Sequence, residues 1–303
     1  MATIIEARGL TKNYGRTRGV LDLTFDVTEG EIFGFLGPNG AGKSTTIRLF
    51  MGLLRPTAGH ASIAGLDCWR QTTEVKRLVG YLPGEWTFDA RLTGAQILEY
   101  LGNLRGGVDR AYVRRLIERF ELDPSRRFRE YSHGNKQKIG LIQAFMSRPR
   151  LLILDEPTIG LDPLNQQEFY KMVAEAREAG QTLFISSHIL AEVERTCDRV
   201  GIIREGLLVK VDTVANLKEI KSHSMDISFS ALASPEWFTH LPGVISATSE
   251  ANALNVRLIV QGELREVIEA AAAHGATNIA TYEPSLEEVF LRFYTPSRER
   301  AGV

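Results

Sequence analysis

The chain has 303 residues and a formal net charge of -1, and 24% of its residues are charged and 44% hydrophobic. This length accommodates one large domain or two, and the composition is typical of a globular protein with an ample core. A net charge near zero gives no general attraction to nucleic acid, and the absence of an apolar run of about 18 residues predicts no membrane-spanning segment. Glu6 and Arg8 interrupt the first ten residues, so no signal peptide is expected.

Short apolar strands alternate with amphipathic helices up to about residue 220, a pattern typical of an α/β nucleotide-binding core. Strands are predicted at residues 3–7, 21–27, 31–36, 151–154, 182–185 and 199–203. The apolar runs before Asp155 and Ser186 are nearly continuous, as in parallel strands covered on both faces. Helices are predicted at residues 44–52, 93–104, 109–120 and 134–147, so a helical insert is expected within the core.

After residue 221 the pattern starts again as a small α+β unit. Strands are predicted at residues 225–230, 254–260 and 277–282, and helices at 263–273 and 285–294. We therefore predict two domains, residues 1–221 and 222–303. The two cysteines, Cys68 and Cys197, are far apart and have no metal-binding spacing, so we expect reduced structural residues of a cytosolic protein.

An octet between a predicted strand and helix is typical of a phosphate-binding loop. It reads Gly-Pro-Asn-Gly-Ala-Gly-Lys-Ser and fits the pattern G-x-x-x-x-G-K-[ST]. Glycines let successive N–H groups face one concavity, Lys43 adds a charge for the β- and γ-phosphates, and the Ser44 hydroxyl is placed to ligate Mg²⁺. We therefore predict ATP binding by this loop and the next residue: Gly37, Pro38, Asn39, Gly40, Ala41, Gly42, Lys43, Ser44 and Thr45.

Two adjacent carboxylates follow the buried strand at residues 151–154. An acidic residue at a strand tip beside a phosphate-binding loop can hold the Mg²⁺ shell, and Asp155 suits that role. A second carboxylate one residue later can polarise a water for in-line attack on the γ-phosphate, which suits Glu156. The alternative is an exposed Asp-Glu-Pro turn that merely ends the strand.

The segment Tyr-Ser-His-Gly-Asn-Lys-Gln-Lys at residues 131–138 opens a helix, with Ser132 as its expected N-cap. Shortly before the carboxylate strand, it resembles the signature Leu-Ser-Gly-Gly-Gln of ABC (ATP-binding cassette) ATPases. It keeps Ser132 and Gly134, and differs at Tyr131, His133 and Asn135. The departures resemble those of the ABC-2 branch, which includes daunorubicin-type drug exporters.

Other segments match the same family in order, from about residue 4 to 220. Asp162 follows Gly-Leu as in its D-loop, His188 follows a strand as its switch histidine does, and Tyr14 stands where the family stacks a ring on adenine. The resemblance implies an α/β P-loop NTPase core of ABC ATPase type with an antiparallel β portion and a helical subdomain at about 86–148. It also implies that Lys43, Glu156 and His188 act on ATP.

One loop departs from the family. The glutamine expected after the strand at residues 79–82 is absent, and the chain there reads Pro-Gly-Glu-Trp. Glu85 could take its place as a Mg²⁺ ligand. Alternatively the loop only packs, with Trp86 as its anchor.

The resemblance further implies a head-to-tail dimer with two sandwiched ATP molecules. Ser132, His133, Gly134 and Asn135 of one subunit would face the P-loop of the other, and Asp162 would bridge the sites.

We expect a homodimer, or a heterodimer with a paralogous ATPase. It would lie at the cytoplasmic face of the cell membrane, bound to a separate permease that exports drugs, lipids or other small molecules. Nucleic acid is not expected as a partner. The alternatives are a non-transport ABC ATPase acting on ribosomes or DNA and, third, a P-loop kinase.

Two further segments have open interpretations. Residues 283–291 resemble the closing segment of ABC-2 ATPase subunits, and they also suit an amphipathic helix that covers a small sheet and contributes to a dimer contact. The basic run at residues 126–129 suits a solvated surface, or contact with the permease.

Overall fold

The computed structural model describes residues 2–15, 17–85, 87–218, 222–249 and 254–282. These residues divide into two compact units, one ending at Asp212 and the other beginning at Thr213. The division comes earlier than the one predicted after residue 221, because a short helix, α8 (Val214–Lys218), groups with the second unit. The assignment of the two units as separate domains stays a prediction.

A six-stranded, largely parallel sheet forms the centre of the first unit. Its strands, numbered along the chain, are β3 (Ile32–Leu36), β6 (Val79–Leu82), β7 (Leu151–Asp155), β8 (Thr182–Ser187), β9 (Arg199–Arg204) and β10 (Leu207–Thr213). The order across the sheet is β10-β9-β3-β8-β7-β6, and the pairs from β9 to β6 are parallel. Every residue of β3, β7 and β8 is buried, which explains their continuous apolar runs.

An antiparallel sheet packs against this layer. It contains β1 (Thr3–Tyr14), β2 (Thr17–Thr28), β4 (Ala58–Ile63) and β5 (Leu66–Asp67), in the order β2-β1-β4-β5. Phe25 of β2 stacks on Phe33 and Phe35 of β3, with ring centroids 5.6 Å apart in both pairs. Stacked rings of this kind combine apolar burial with a favourable offset geometry, so they tie the two sheets into one core.

The helices of the first unit are α1 (Lys43–Phe50), α2 (Thr72–Leu78), α3 (Gly94–Leu104), α4 (Arg110–Arg119), α5 (His133–Phe145), α6 (Pro163–Glu178) and α7 (Leu190–Thr196). The predicted helical insert is present as α3, α4 and α5. Each of these three helices begins at an N-cap side chain, since Thr93, Asp109 and Ser132 accept hydrogen bonds from first-turn amides. None of the described helices is long and apolar enough to cross a bilayer.

The second unit has its own sheet and core. Its strands β11 (Ser222–Phe229), β12 (Val244–Ser249), β13 (Asn255–Gln261) and β14 (Ala276–Tyr282) have the order β12-β13-β11-β14 with antiparallel pairing, and α9 (Arg265–Ala273) follows β13. Met225, Phe238 and Val267 are fully buried there. β12 was not predicted, because its small polar residues resemble a loop. The helix predicted at residues 285–294 lies outside the described residues.

Candidate nucleotide site

The glycine-rich loop at residues 37–42 connects β3 to α1 through backbone geometry that only glycine adopts easily. Gly42 has φ 111°, and a Cβ added there would lie 2.7 Å from Val20 Cγ1. The Gly37 N–H donates to the Ser187 carbonyl at 3.2 Å, which fixes the loop to the end of β8. A cleft opens beside this loop, lined by Gly19, Asn39, Gly40, Gly42, Lys43, Ser44, Thr45 and Glu156.

Lys43 is a buried cation, with 5% of its side chain exposed. Its Nζ donates to the carbonyls of Gly37 at 2.5 Å and Pro38 at 3.2 Å, and lies 3.0 Å from Glu156 Oε1. These contacts compensate the loss of hydration that a buried ammonium suffers. The ammonium is therefore held at the floor of the cleft with its charge directed at a single carboxylate.

Asp155 and Glu156 leave β7 at the same edge of the sheet. Asp155 is 3% exposed and accepts a 2.6 Å hydrogen bond from Ser186 Oγ. Glu156 has left-handed backbone geometry, φ 52°, and its N–H is bonded to the Ser186 carbonyl at 3.2 Å and to Ser186 Oγ at 3.1 Å. The two carboxylates thus point in different directions, one into the buried strand ends and the other toward the loop.

The Glu156 carboxylate bridges Lys43 and His188. Its Oε2 lies 2.9 Å from His188 Nδ1, and the imidazole is 35% exposed. Although Oε1 is close to the Lys43 ammonium, it is buried and has no aligned donor among the described residues. The three residues predicted to be catalytic therefore meet at one point, and one carboxylate oxygen there has unused capacity to accept a hydrogen bond from water.

Tyr14 and Glu85 lie at the periphery. The Tyr14 ring is 43% exposed, has Lys12 Nζ 5.6 Å from its centroid, and lies so close to Gly19 that a Cβ there would be 3.0 Å from it. Glu85 is exposed and follows Gly84, whose Cβ position would be 3.1 Å from Asp155 Oδ2. The loop thus passes beside the predicted metal-binding carboxylate, while Trp86 lies outside the described residues.

The signature segment is not among the residues that line this cleft. Ser132 is exposed, and its Oγ accepts from the Asn135 N–H at 3.3 Å, which confirms the predicted N-cap. His133 and Gly134 instead contact Gly160, since a Cβ on Gly134 would lie 2.3 Å from the Gly160 carbonyl oxygen. Asp162 caps α6 by accepting the Asn165 N–H at 3.0 Å, and the bonds from Asn165 hold the pKa of Asp162 below its usual value.

Three buried polar residues that no sequence pattern predicted support the site. Ser186 anchors both carboxylate residues, and Gln137 donates to the carbonyls of Glu156 and Pro157. Glu192 accepts from Ser187 Oγ and from Thr158 Oγ1. A polar residue inside a buried strand or on the inner face of a helix was the only signal available, and it does not specify a partner.

The chain is similar in sequence to known ATP-binding proteins. The ABC transporter family profile matches residues 20–159. The bacitracin transport ATP-binding protein BcrA of Bacillus licheniformis is 38% identical over 233 residues, which cover 76% of each chain. The linearmycin resistance ATP-binding protein LnrL of Bacillus subtilis is 30% identical over 95% of this chain and 97% of its own.

The chain belongs to the family of ABC transporter ATP-binding proteins.

The family assignment from the signature segment is thereby confirmed, together with the α/β P-loop fold and ATP hydrolysis as the activity. Among solved structures, the cassette MJ0796, described as a dimer in a post-hydrolysis state bound to ADP and Pi, has the same fold. The TM-score is 0.63 at 19% identity, covering 70% of this chain and 99% of that one. This ABC ATPase is therefore an ATP-binding subunit of a transporter, and neither named relative supports the alternative of a ribosome- or DNA-acting ATPase.

Proposed function

We propose that this ABC ATPase powers an exporter as a dimer that encloses two ATP molecules and drives a separate permease. The proposal rests on one observation: the residues predicted to act on ATP lie in two separate places on the subunit. Lys43, Glu156 and His188 meet at one cleft, whereas the signature segment, exposed at Ser132, does not line it. A second subunit facing the cleft would supply the missing half.

In such a dimer, Ser132 and the N-terminus of α5 would donate to the γ-phosphate of the nucleotide held by the partner. The positive end of a helix that is 13 residues long favours an anion there. Asp162 at the start of α6 would lie between the two sites. Tyr14, beside the cleft, would stack on adenine. Because the closing contacts require the γ-phosphate, ATP favours the closed dimer and its hydrolysis favours opening.

Ser44, which lines the cleft, and Asp155, at the end of β7, carry the oxygen donors that Mg²⁺ prefers. No group of three or more His, Cys, Asp or Glu side chains within the described residues could hold a metal ion alone. Mg²⁺ typically takes one or two protein ligands and completes its shell with phosphate oxygens and water. Ser44 and Asp155 would hold it, with Glu85 as a further candidate, and it would neutralise charge on the phosphates.

The side chains around Glu156 have complementary roles in hydrolysis. Glu156 would orient a water and accept its proton as the water oxygen attacks the γ-phosphorus and the bond to the bridging oxygen of ADP breaks. Lys43 would hold the β- and γ-phosphates. His188, 2.9 Å from Glu156 Oε2, would contact the γ-phosphate and register its loss. All three act by position and charge, as phosphoryl transfer requires.

A groove on the first unit is a candidate docking site for the permease. Its lining includes Leu53 and Leu104, which are 51% and 67% exposed, together with Lys76 and Arg77. Arg105 lines the groove as well, and exposed leucines beside cations suit a permease segment with apolar and acidic side chains. The basic run offers a second contact, because Arg126, Arg127 and Arg129 are exposed while Phe128 is buried. The names of BcrA and LnrL support a drug or peptide antibiotic as cargo.

Purification from the native host tests the proposal. A tagged Glu156→Gln variant should bind ATP, hydrolyse it slowly and remain dimeric, so detergent-solubilised membranes with ATP should yield it with a polytopic membrane protein. Leu104→Asp should release that protein, whereas Leu232→Asp, at a leucine 75% exposed in the second unit, should not. Recovery of ribosomal proteins or DNA-bound partners instead would contradict the exporter proposal.

A further inference from the structure

Gln137 of α5 is a buried amide with two backbone acceptors. Only 3% of the residue is exposed, and Nε2 donates to the Glu156 carbonyl at 3.1 Å and to the Pro157 carbonyl at 3.0 Å. Both acceptors belong to the segment that leaves β7, and neither belongs to a strand or helix. A buried donor shared by two carbonyls defines the position of that segment closely.

The backbone at Glu156 needs such support. With φ 52°, it occupies the left-handed region that side-chain-bearing residues rarely adopt, so the surrounding structure must maintain it. On the amino side, Ser186 holds the Glu156 N–H through its carbonyl at 3.2 Å and its Oγ at 3.1 Å. On the carboxyl side, Gln137 holds the carbonyl. The direction of the Glu156 side chain depends on both attachments.

The same helix carries the signature segment. Gly134, one turn before Gln137, packs so tightly on the Gly160 carbonyl that a Cβ would lie 2.3 Å away. Thus α5 contacts the segment after Glu156 at two points, and a shift of this helix would be transmitted to the carboxylate.

We propose that Gln137 is a positioning residue for hydrolysis, which sets the Glu156 carboxylate against Lys43 and His188 from the helix that bears the signature. The inference rests on the proposed role of Glu156. Helix α5, which would contact the ATP bound by the partner subunit, would then also align the Glu156 carboxylate of its own subunit.

Three variants of the full-length protein test this. Gln137→Met keeps the length of the side chain but removes the donor, so kcat for ATP hydrolysis should fall about tenfold while the Kd for ATP changes less than about twofold. Gln137→Lys restores donors, and this fold already accommodates an ammonium bonded to two carbonyls at Lys43, so part of kcat should return. Gln181→Met is the matched control, because Gln181 donates to the Pro149 carbonyl at the opposite end of the strands.

A double-mutant cycle separates positioning from general destabilisation. If Gln137 acts through Glu156, then adding Gln137→Met to Glu156→Gln should slow single-turnover hydrolysis by less than about twofold further. An equal loss of kcat in both backgrounds, or an equal loss in Gln181→Met, would overturn the inference, as would wild-type turnover in Gln137→Met. If Gln137→Met does not fold, failure of folded Gln137→Lys to exceed about a hundredth of wild-type kcat would do the same. Wild-type turnover in Glu156→Gln would instead reject the proposed role of Glu156, and the inference with it.

Discussion

The two halves of the proposed ATP site are built in opposite ways. The half around Lys43 is rigidly held, since its charged residues are buried at strand ends and bonded to neighbouring backbone groups. The half around Ser132 is exposed. Among the described residues, Ser132 Oγ accepts a hydrogen bond from the Asn135 N–H, which lies in the first turn of the same helix. The half around Lys43 is thus organised within one subunit, whereas the half around Ser132 depends on contact with a partner.

This difference separates binding from catalysis. A buried half that is complete within one chain can bind nucleotide as a monomer, because its electrostatics are already arranged. In the proposed dimer, the exposed half would add donors only when two subunits meet, so it would contribute to dimerisation and turnover. Variants in the two halves should therefore affect different measurements.

The largest effect is expected from Lys43→Ala, which removes the buried cation of the internal half. Without that charge the phosphates lose their main partner and Glu156 loses its ion pair, so ATP binding should weaken at least about a hundredfold. Equilibrium binding of a fluorescent ATP analogue measures this. Normal binding by a folded variant would contradict the site assignment.

A smaller and different effect is expected from Gly134→Ala. The added methyl group would lie 2.3 Å from the Gly160 carbonyl oxygen, so the start of α5 must shift. We expect ATP-dependent dimerisation and hydrolysis to fall about tenfold, with binding to the monomer unchanged. Light scattering with and without ATP reports dimerisation.

Gly102→Ala is the control for that substitution. Its added Cβ would meet the Val108 side chain at 2.9 Å, and a side chain can shift where a carbonyl cannot. Equal losses of dimerisation in both variants would show that a methyl group anywhere in these helices is harmful. The contact of Gly134 with Gly160 would then have no particular role in dimerisation.

Asp162→Ala should cost about 1 kcal/mol of stability through loss of the α6 N-cap. The bonds from Asn165 lower the pKa of Asp162 from its usual 3.8, so this contribution is present at neutral pH and is lost as pH falls below 3.8. Urea unfolding of both proteins at pH 7 and near pH 3 measures the difference, which should vanish in acid.

Asp109→Ala removes a similar cap from α4, where two backbone amides bond the carboxylate and lower the pKa of Asp109. It should lose comparable stability. ATP-driven dimerisation should weaken only for Asp162→Ala, and equal weakening in both would argue against a place for Asp162 between the two sites.

The smallest effect is expected at the two cysteines, Cys68 and Cys197, which are free and buried in the first unit. Burial raises the pKa of Cys68 and of Cys197 to about 12, so almost no thiolate forms at pH 8. Iodoacetamide should leave both unmodified in the folded protein and alkylate both in urea, as mass spectrometry can show. Rapid labelling of the folded protein would mean that the packing behind β3, where Cys197 meets Gly34, opens readily.

Much of the internal half follows from local patterns in the sequence. Continuous apolar runs placed β3, β7 and β8, and the glycine spacing placed the loop with Lys43, because these features depend on neighbours along the chain. The contact of Gln137 with Glu156 joins residues 19 apart, and that of Ser186 joins strands whose order no local pattern specifies. The same holds for the loop at Glu85, because the close approach of Gly84 to Asp155 joins distant parts of the chain.

If Lys43 holds the γ-phosphate as proposed, its ion pair with Glu156 makes that carboxylate an intramolecular competitor of the phosphate. Both anions seek one ammonium, and a tethered competitor acts at a high effective concentration. The Glu156 side chain would therefore weaken ATP binding while it promotes ATP hydrolysis. Glu156→Gln should therefore tighten ATP binding while it slows hydrolysis. An ABC ATPase selected for fast turnover would bind ATP more weakly than the same cleft would without this carboxylate.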